Sequence, residues 1–462
     1  MAEKSAIPVE LGTERISRLL KQYALPAIIA QTASSLYNMV DSIFIGQGVG
    51  PLAISGLAVT FPLMNLSTAF GTLVGAGAAT MLSVLLGQKN YKAANKVLGN
   101  VVTLNTIIGL AFMAVALIFI DPILYFFGAS ENTLPYAKEY ISIILIGNVI
   151  THLYFGLNAA MRSSGHPKKA MALTIFTVVF NTILDPIFIF VFDMGIAGAA
   201  WATVIAQTVA MILVMRHFSD RSRAFHFEKG IFRLDMRVAK DSLTIGMGPF
   251  LMNTAACLVT LFINQQLRDY SGDLGIGSYG ICNRFIFMFI MICMGLNQGM
   301  QPIAGYNYGA KQYSRVKEVF WKTAKMGTIV TTICFAIGMF IPRIAAGIFT
   351  HDEALLNMSA EGMRILTIGF PIVGFQMIGT NFFQCLGMVK KSIILSLSRQ
   401  LLFLLPLLYT LPLWMGANGV WMSFPISDVL SALLTAILLR RLFKKFNQLK
   451  DGEESTILGS NL

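Results

Sequence analysis

Apolar residues along this chain come in blocks of about 20, the length that crosses the hydrocarbon core of a bilayer as a helix. About twelve blocks stand out on that window. They are residues 24–46, 54–84, 98–120, 138–161, 169–192 and 196–217, then 243–267, 278–308, 321–348, 361–385, 391–413 and 419–443. A β-barrel would show segments of about ten residues with alternating polarity, and that pattern is not seen. The periodicity predicts an all-α integral membrane protein. The longest polar connection separates the blocks six and six. The expected organisation is an N-terminal segment 1–22, a first lobe 23–217, a linker 218–242, a second lobe 243–445 and a tail 446–462. Pro26, Pro62, Pro186, Pro249, Pro302, Pro371 and Pro406 lie within or near blocks, where each removes a backbone donor and can kink its helix.

The two sets of six repeat. Gly87-Gln88-Lys89-Asn90-Tyr91 follows the second block and Gly309-Ala310-Lys311-Gln312-Tyr313 follows the eighth, 222 residues later (309 − 87). Gly165 with Lys168-Lys169 and Gly387 with Lys390-Lys391 differ by 222 again, and Gly195 and Gly416 differ by 221. An even number of crossings gives both lobes the same orientation. A pseudo-two-fold axis along the membrane normal, with a V-shaped central cleft between the lobes, is the expected architecture.

Composition agrees with a lipid setting. Hydrophobic residues make up 55% of 462 and charged residues 13%, with mean hydropathy +0.67; soluble proteins carry about 25% charged residues. The net charge of +12 could point to nucleic acid, but its placement does not. Lys and Arg gather in every second connection, the positive-inside pattern. That predicts both termini in the cytoplasm, a plasma (bacterial inner) membrane location, a bilayer as partner and no nucleic acid. The first 22 residues lack the apolar core of a cleavable signal and suit a short amphipathic helix on the inner surface. The five cysteines lie in apolar blocks without metal spacing and read as small buried hydrophobes.

The polar residues inside the blocks are the candidates for chemistry. In the first block Gln31, Ser34, Asn38 and Asp41 are spaced three, four and three, one face of a helix. In the fifth, Thr174, Thr177, Asn181 and Asp185 are spaced three, four and four, and Pro186 follows. The sixth offers Thr203 and Gln207, one turn apart; the fourth offers Tyr140, His152, Tyr154 and Asn158. An ionisable residue in lipid must face protein or water, and marks function by default. Two such acids near one another bind a proton, or a hard cation through oxygen ligands. The bland alternatives are a capped helix break for each acid, interhelical hydrogen bonds for the amides and hydroxyls, and packing for His152. Asp41 plus 222 is Ile263 and Asp185 plus 222 is Leu407. The acid chemistry is thus expected in the first lobe alone. Tyr37 and, in the second lobe, Gln265, Asn283, Arg284, Gln298, Gln301 and Asn381 are expected cleft or substrate contacts, with Arg284 either snorkelling outward or paired. The 25 Met and 34 Phe suit a soft wall for lipophilic ligands, though most simply pack or face lipid.

Pro26 with Asn38-Met39-Val40-Asp41, the Gly-rich second block ending Gly87-Gln88, Arg162-Ser163-Ser164-Gly165, Asn181 to Asp185-Pro186, and Gly198-Ala199-Ala200-Trp201-Ala202-Thr203 carry a resemblance. Together they resemble the multidrug and toxic compound extrusion (MATE) transporters, near the MepA-like and DinF-like branches. The resemblance spans about Arg15 to Leu442. It implies a secondary active transporter rather than an enzyme, exporting small amphipathic, often cationic compounds by alternating access, with a proton or sodium as coupling ion and no other cofactor. It implies that Asp41, Asn181, Asp185 and Thr203 form the cation site, sodium being the one metal in view, with Tyr140 and Asn158 as second members of that network; Gln31, Asn38 and Gln207, placed by their spacing, are expected to support it. It also implies a bend of the first helix near Pro26. The NorM-like branch carries second-lobe acids that the seventh and tenth blocks here lack. A monomer contains the whole expected cleft. The alternative is a flippase of lipid-linked sugars or lipids in the same superfamily, which would line its cleft with several Arg and Lys; here Arg284 and Arg399 are the intramembrane cations. An intramembrane aspartyl protease would carry a Gly-x-Gly-Asp signature, which is absent.

Overall fold

The computed structural model describes residues 8–453 except Lys229 and Ile231, and the side chains of Asn38, Met39, Pro51 and Asp273 lie outside that description. Twelve long helical elements follow one another, and no strand occurs among the described residues. In the first half they are α1 (Ile16–Gly48), α2 (Pro51–Gly87), α3 (Tyr91–Ile118), α4 (Leu134–Ile146 and Asn148–Ser163), α5 (Pro167–Val191) and α6 (Gly195–Ser219). In the second they are α7 (Met236–Gly272), α8 (Leu274–Gly309), α9 (Tyr313–Phe340), α10 (Glu353–Thr367 and Phe370–Cys385), α11 (Val389–Met415) and α12 (Ala417–Phe446). Nine are singly long and apolar enough to cross a membrane, and the two arms of α4 and of α10 qualify together as bent spans. The 33 residues of α1 also exceed the roughly 20 that a crossing needs. Val191, Phe340 and Trp414 are 72–88% exposed. Large apolar side chains so placed are at home against acyl chains. The chain is a multi-pass membrane protein, with twelve long helical elements among the described residues.

By compactness the described chain divides into two units. One holds residues 8–13 and 29–250, the other 14–28 and 251–453. The boundaries inside α1 and α7, after Ile28 and after Phe250, differ by 222 (250 − 28). Each unit therefore owns the opening stretch of a helix that continues in the other.

The 222-residue period is written into the backbone. Left-handed residues recur at Gly50 and Gly272, Lys89 and Lys311, and Gly165 and Gly387, and one residue short at Gly195 and Gly416. Lys89 and Lys311 are informative because a side chain makes φ near +58° costly. Both halves of the chain accept that cost to turn sharply into the next helix. The α4 arms meet at Gly147, bent by 53°, and the α10 arms meet at Gly369, bent by 55°; these glycines also differ by 222. Pro371, at the start of the second α10 arm, is a sequence sign of that break, whereas nothing in the apolar block marks the bend at Gly147.

Each unit is closed by a backbone-to-backbone approach. In the first, a Cβ on Gly77 of α2 would strike the Ser242 carbonyl of α7, and one on Gly246 would strike the Leu73 carbonyl. In the second, a Cβ on Gly299 of α8 would strike Ala24 of α1, and one on Gly295 would strike Ile28. Gly77 and Gly299 are a repeat pair, as are Ala24 and Gly246. Small residues admit this approach, and in lipid it supplies the packing that hydrophobicity cannot. The linker lies against α3: the Asn95 amide donates to Glu228 at 2.8 Å, Thr103 donates to the Phe232 carbonyl at 2.8 Å, and Lys96 pairs with Asp235 at 3.3 Å.

Candidate functional site

The first unit brings α1, α4, α5 and α6 together around two acids. Asp41 is 5% exposed and Asp185 is fully buried. Their carboxyl groups stand within hydrogen-bonding reach of each other. Asn181, one turn before Asp185, donates its amide to Asp185 Oδ1 at 3.2 Å. Asp41 Oδ1, Asp185 Oδ2 and Asn181 Oδ1 meet no partner among the described residues. Three buried acceptor oxygens on these side chains keep open lone pairs, a set that suits a proton, water or cation.

Hydroxyls flank it. Thr203 donates to the Ala199 carbonyl at 3.1 Å, so at the 2.9 Å contact between Tyr37 and Thr203 the phenol is the donor. Tyr37 and Tyr140 both lie within electrostatic reach of the two acids. Tyr140 is buried with Ile45, Leu57 and Ile196. Pro186 ends the α-helical part of α5, and the backbone widens into a π segment, Ile187–Val191. A proline beside a widened turn is a common cause of such a break.

The structure therefore assembles Tyr37, Asp41, Tyr140, Asn181, Asp185 and Thr203. Tyr37, expected as a cleft or substrate contact, lies with this group. Gln207 extends it by one turn of α6 and accepts from Thr151 of α4. Asn158 does not join it. Its amide donates to the Ala170 carbonyl at 3.1 Å, beside the 3.1 Å contact of Tyr154 with Thr174. Ala170 precedes Asp185 by 15 residues of α5, roughly 22 Å of helix. Gln31 is half-buried, ten residues before Asp41, roughly 15 Å along α1. The Asn38 side chain falls outside the described residues. His152 is fully buried, with Nε2 2.9 Å from the Ser67 carbonyl, and ties α4 to α2.

Of the second-half candidates, Gln265, Asn283 and Arg284 are exposed, Gln298 and Asn381 are half-buried, and Gln301 is 6% exposed. Asn381 accepts from the Cys385 thiol at 3.4 Å. The second unit also holds an acid that the sequence reading passed over. Asp428 of α12 is 3% exposed, and Arg399 of α11 donates to its Oδ1 at 2.7 Å. This pair adds a buried acid in the second half, bonded to an arginine, beside the acids expected in the first. The repeat was the available signal: one residue is lost before α12, so 428 − 221 = 207, and Asp428 answers to Gln207.

The MatE family model matches residues 26–187 and again 246–410, once in each half. The multidrug export protein MepA of Staphylococcus aureus (strain NCTC 8325 / PS 47) is 27% identical over 424 residues, covering 92% of this chain and 93% of its own. MepA of Staphylococcus haemolyticus (strain JCSC1435) is 26% identical over the same length. A solved structure of the MATE multidrug transporter DinF-BH, in complex with a ligand, is 37% identical, with TM-score 0.88, covering 95% of this chain and 98% of that one. A MATE crystal structure in the bent conformation has TM-score 0.90 at 22% identity, covering 96% of this chain and 99% of that one, a likeness of fold. The resemblance read from the motifs holds along nearly the whole length: this chain belongs to the MatE family of multidrug efflux transporters.

Proposed function

We propose that this protein exports amphipathic, often cationic compounds in exchange for a proton or sodium ion loaded at Asp41 and Asp185. The observation that carries this reading is two buried carboxyl groups within reach of one another, each with one oxygen unpartnered. At that separation two acids satisfy each other only by sharing a proton, or around a cation. Asn181 positions Asp185, while Tyr37 and Thr203 supply hydroxyl oxygens. Alternating access changes the water available to the pair, and hence its hold on the ion. That differential is what couples ion entry to export. The positive-inside pattern supports cytoplasmic termini and a plasma-membrane location.

Ethidium, a planar amphipathic cation whose fluorescence reports its own movement, is a suitable probe. Export of ethidium from proteoliposomes is expected to follow an imposed proton or sodium gradient. Asp41→Asn and Asp185→Asn are each expected to reduce it at least about 100-fold, the loss expected when an essential charged group is removed. Full gradient-driven export in both variants would overturn the assignment.

A further inference from the structure

The pair in the second unit, a buried acid with a half-buried arginine, stands where the first unit has uncharged polar groups. Arg399 answers to Thr177 and Asp428 to Gln207. Arg399 Nε donates to Asp428 Oδ1 at 2.7 Å, and Ser427 donates to the Arg399 carbonyl at 2.7 Å. The pair therefore joins a side chain and a backbone on the two helices. Arg399 lies at the start of the π segment Ser398–Leu404 of α11, and the widened turn sets it opposite α12. On the α10 side Asp428 meets the bend glycine: a Cβ on Gly369 would lie 3.3 Å from Asp428 Oδ2. From α8, Tyr279 lies within electrostatic reach of Arg399 and packs on Phe424 at 5.7 Å between ring centroids. Arg399 is the charged group that acts on the acid among the described residues, Tyr279 reaches Arg399 rather than the acid, and α10 presents glycine there.

A carboxylate this deeply buried needs a cation or a proton, and breaking a buried pair by removing one partner leaves that need unmet. In the first unit the acids have no arginine within the site among the described residues, which leaves them to a mobile ion. We propose that Arg399 is a built-in cation that occupies Asp428 permanently, so that the second unit loads no ion and the transporter couples through one centre. Arg399 is thus a residue that determines ion specificity, and Asp428 without it is a latent proton or sodium site. The inference rests on Asp41 and Asp185 being the loading site; its stability test does not.

The test uses the full chain, with Arg399→Gln as the variant and Arg399→Lys as its conservative partner. Thermal stability is measured with sodium against choline at equal ionic strength, and separately from about pH 8 to about pH 6, across the range where a buried carboxyl titrates. Arg399→Gln is expected to gain stability from sodium or from acid beyond any response of the wild type, and the two arms tell which ion Asp428 takes. Arg399→Lys is expected to restore the wild-type response. An Arg399→Gln variant whose response matches the wild type would overturn the proposal. So would a wild-type response that vanishes in Asp428→Asn, because Asp428 would then already load an ion. In ethidium export, Asp428→Asn is expected to keep gradient-driven transport within about threefold of wild type, far from the effect of removing an essential charge; a loss equal to that of Asp41→Asn would likewise overturn it. Unimpaired Asp41→Asn and Asp185→Asn would instead sink the reading of the first-unit site and leave the stability result standing.

Discussion

At position 177 the first half carries a threonine, and 222 residues on the second carries Arg399. The α5 stripe Thr174, Thr177, Asn181 and Asp185 becomes Ser396, Arg399, Phe403 and Leu407 in α11. One helix presents a line of oxygens ending in an acid; its repeat presents a serine, a cation and two apolar side chains. The backbones part at the same place. The π segment of α11, moved back by 222, falls on residues 176–182, where α5 is regular. A regular turn keeps the stripe on one face, and a widened turn swings Arg399 to Asp428. The difference teaches that duplication preserved how the helices pack and left their polar filling free to diverge.

The shared part of that comparison is the one whose disturbance costs most. Gly77 and Gly299 each bring two backbones together, and a Cβ at either position has no space. Gly77→Val and Gly299→Val are each expected to cost at least about 4 kcal/mol, the exceptional range for overpacking against backbone. The measurement is the Tm and the yield of monodisperse protein in detergent. Tolerance at one position with failure at the other would break the equivalence of the two closures.

The divergent part carries the next effect. Asp428→Leu leaves the Arg399 guanidinium unpaired and is expected to cost about 3–5 kcal/mol. The double variant Arg399→Met/Asp428→Leu is expected to lie within about 2 kcal/mol of wild type, because the pair and its desolvation go together. Gln207→Leu, the counterpart in the first half, removes one acceptor from Thr151 and is expected to cost about 1 kcal/mol. Thermal or denaturant unfolding of the four proteins checks the ranking. A double variant no better than Asp428→Leu would show that Arg399 and Asp428 act separately.

Much of this was legible in the chain. Block length disclosed twelve crossings, because lipid demands about 20 apolar residues from each. Two anchors at one offset disclosed the repeat, since turns of fixed handedness need the same residues in both halves. Helical spacing disclosed that Asn181 and Asp185 share a face. That Asp41 meets Asp185 depends on how α1 and α5 are set beside each other, which spacing within one helix does not encode. Asn158 looked like a member because residue type was visible and height along the bundle was not. The bend at Gly147 was hidden because glycine is common in these blocks, while Pro371 beside Gly369 marks a break without giving its angle. Asp428 is not legible from the first-half acids, because its own repeat counterpart, Gln207, is an amide.

The smallest expected effect concerns the entry to the same two helices. His166 caps the start of α5, and its repeat partner, Met388, caps the start of α11. Burial pushes the His166 imidazole down to about 4, and the neighbouring Lys169 and Arg223 charges add to it. The unfolded chain takes up this proton near pH 6.5. Between about pH 6.5 and 4 the unfolded state therefore binds more protons than the folded one, and stability falls as the pH is lowered through that window. Its loss is complete below the folded value. His166→Met copies the second half, where Met388 has nothing to titrate, and is expected to reduce the acid-induced loss of unfolding free energy by on the order of 1 kcal/mol, read as a shallower fall of Tm with acid. An unchanged slope would place the acid sensitivity elsewhere in the first unit and leave these two caps equivalent.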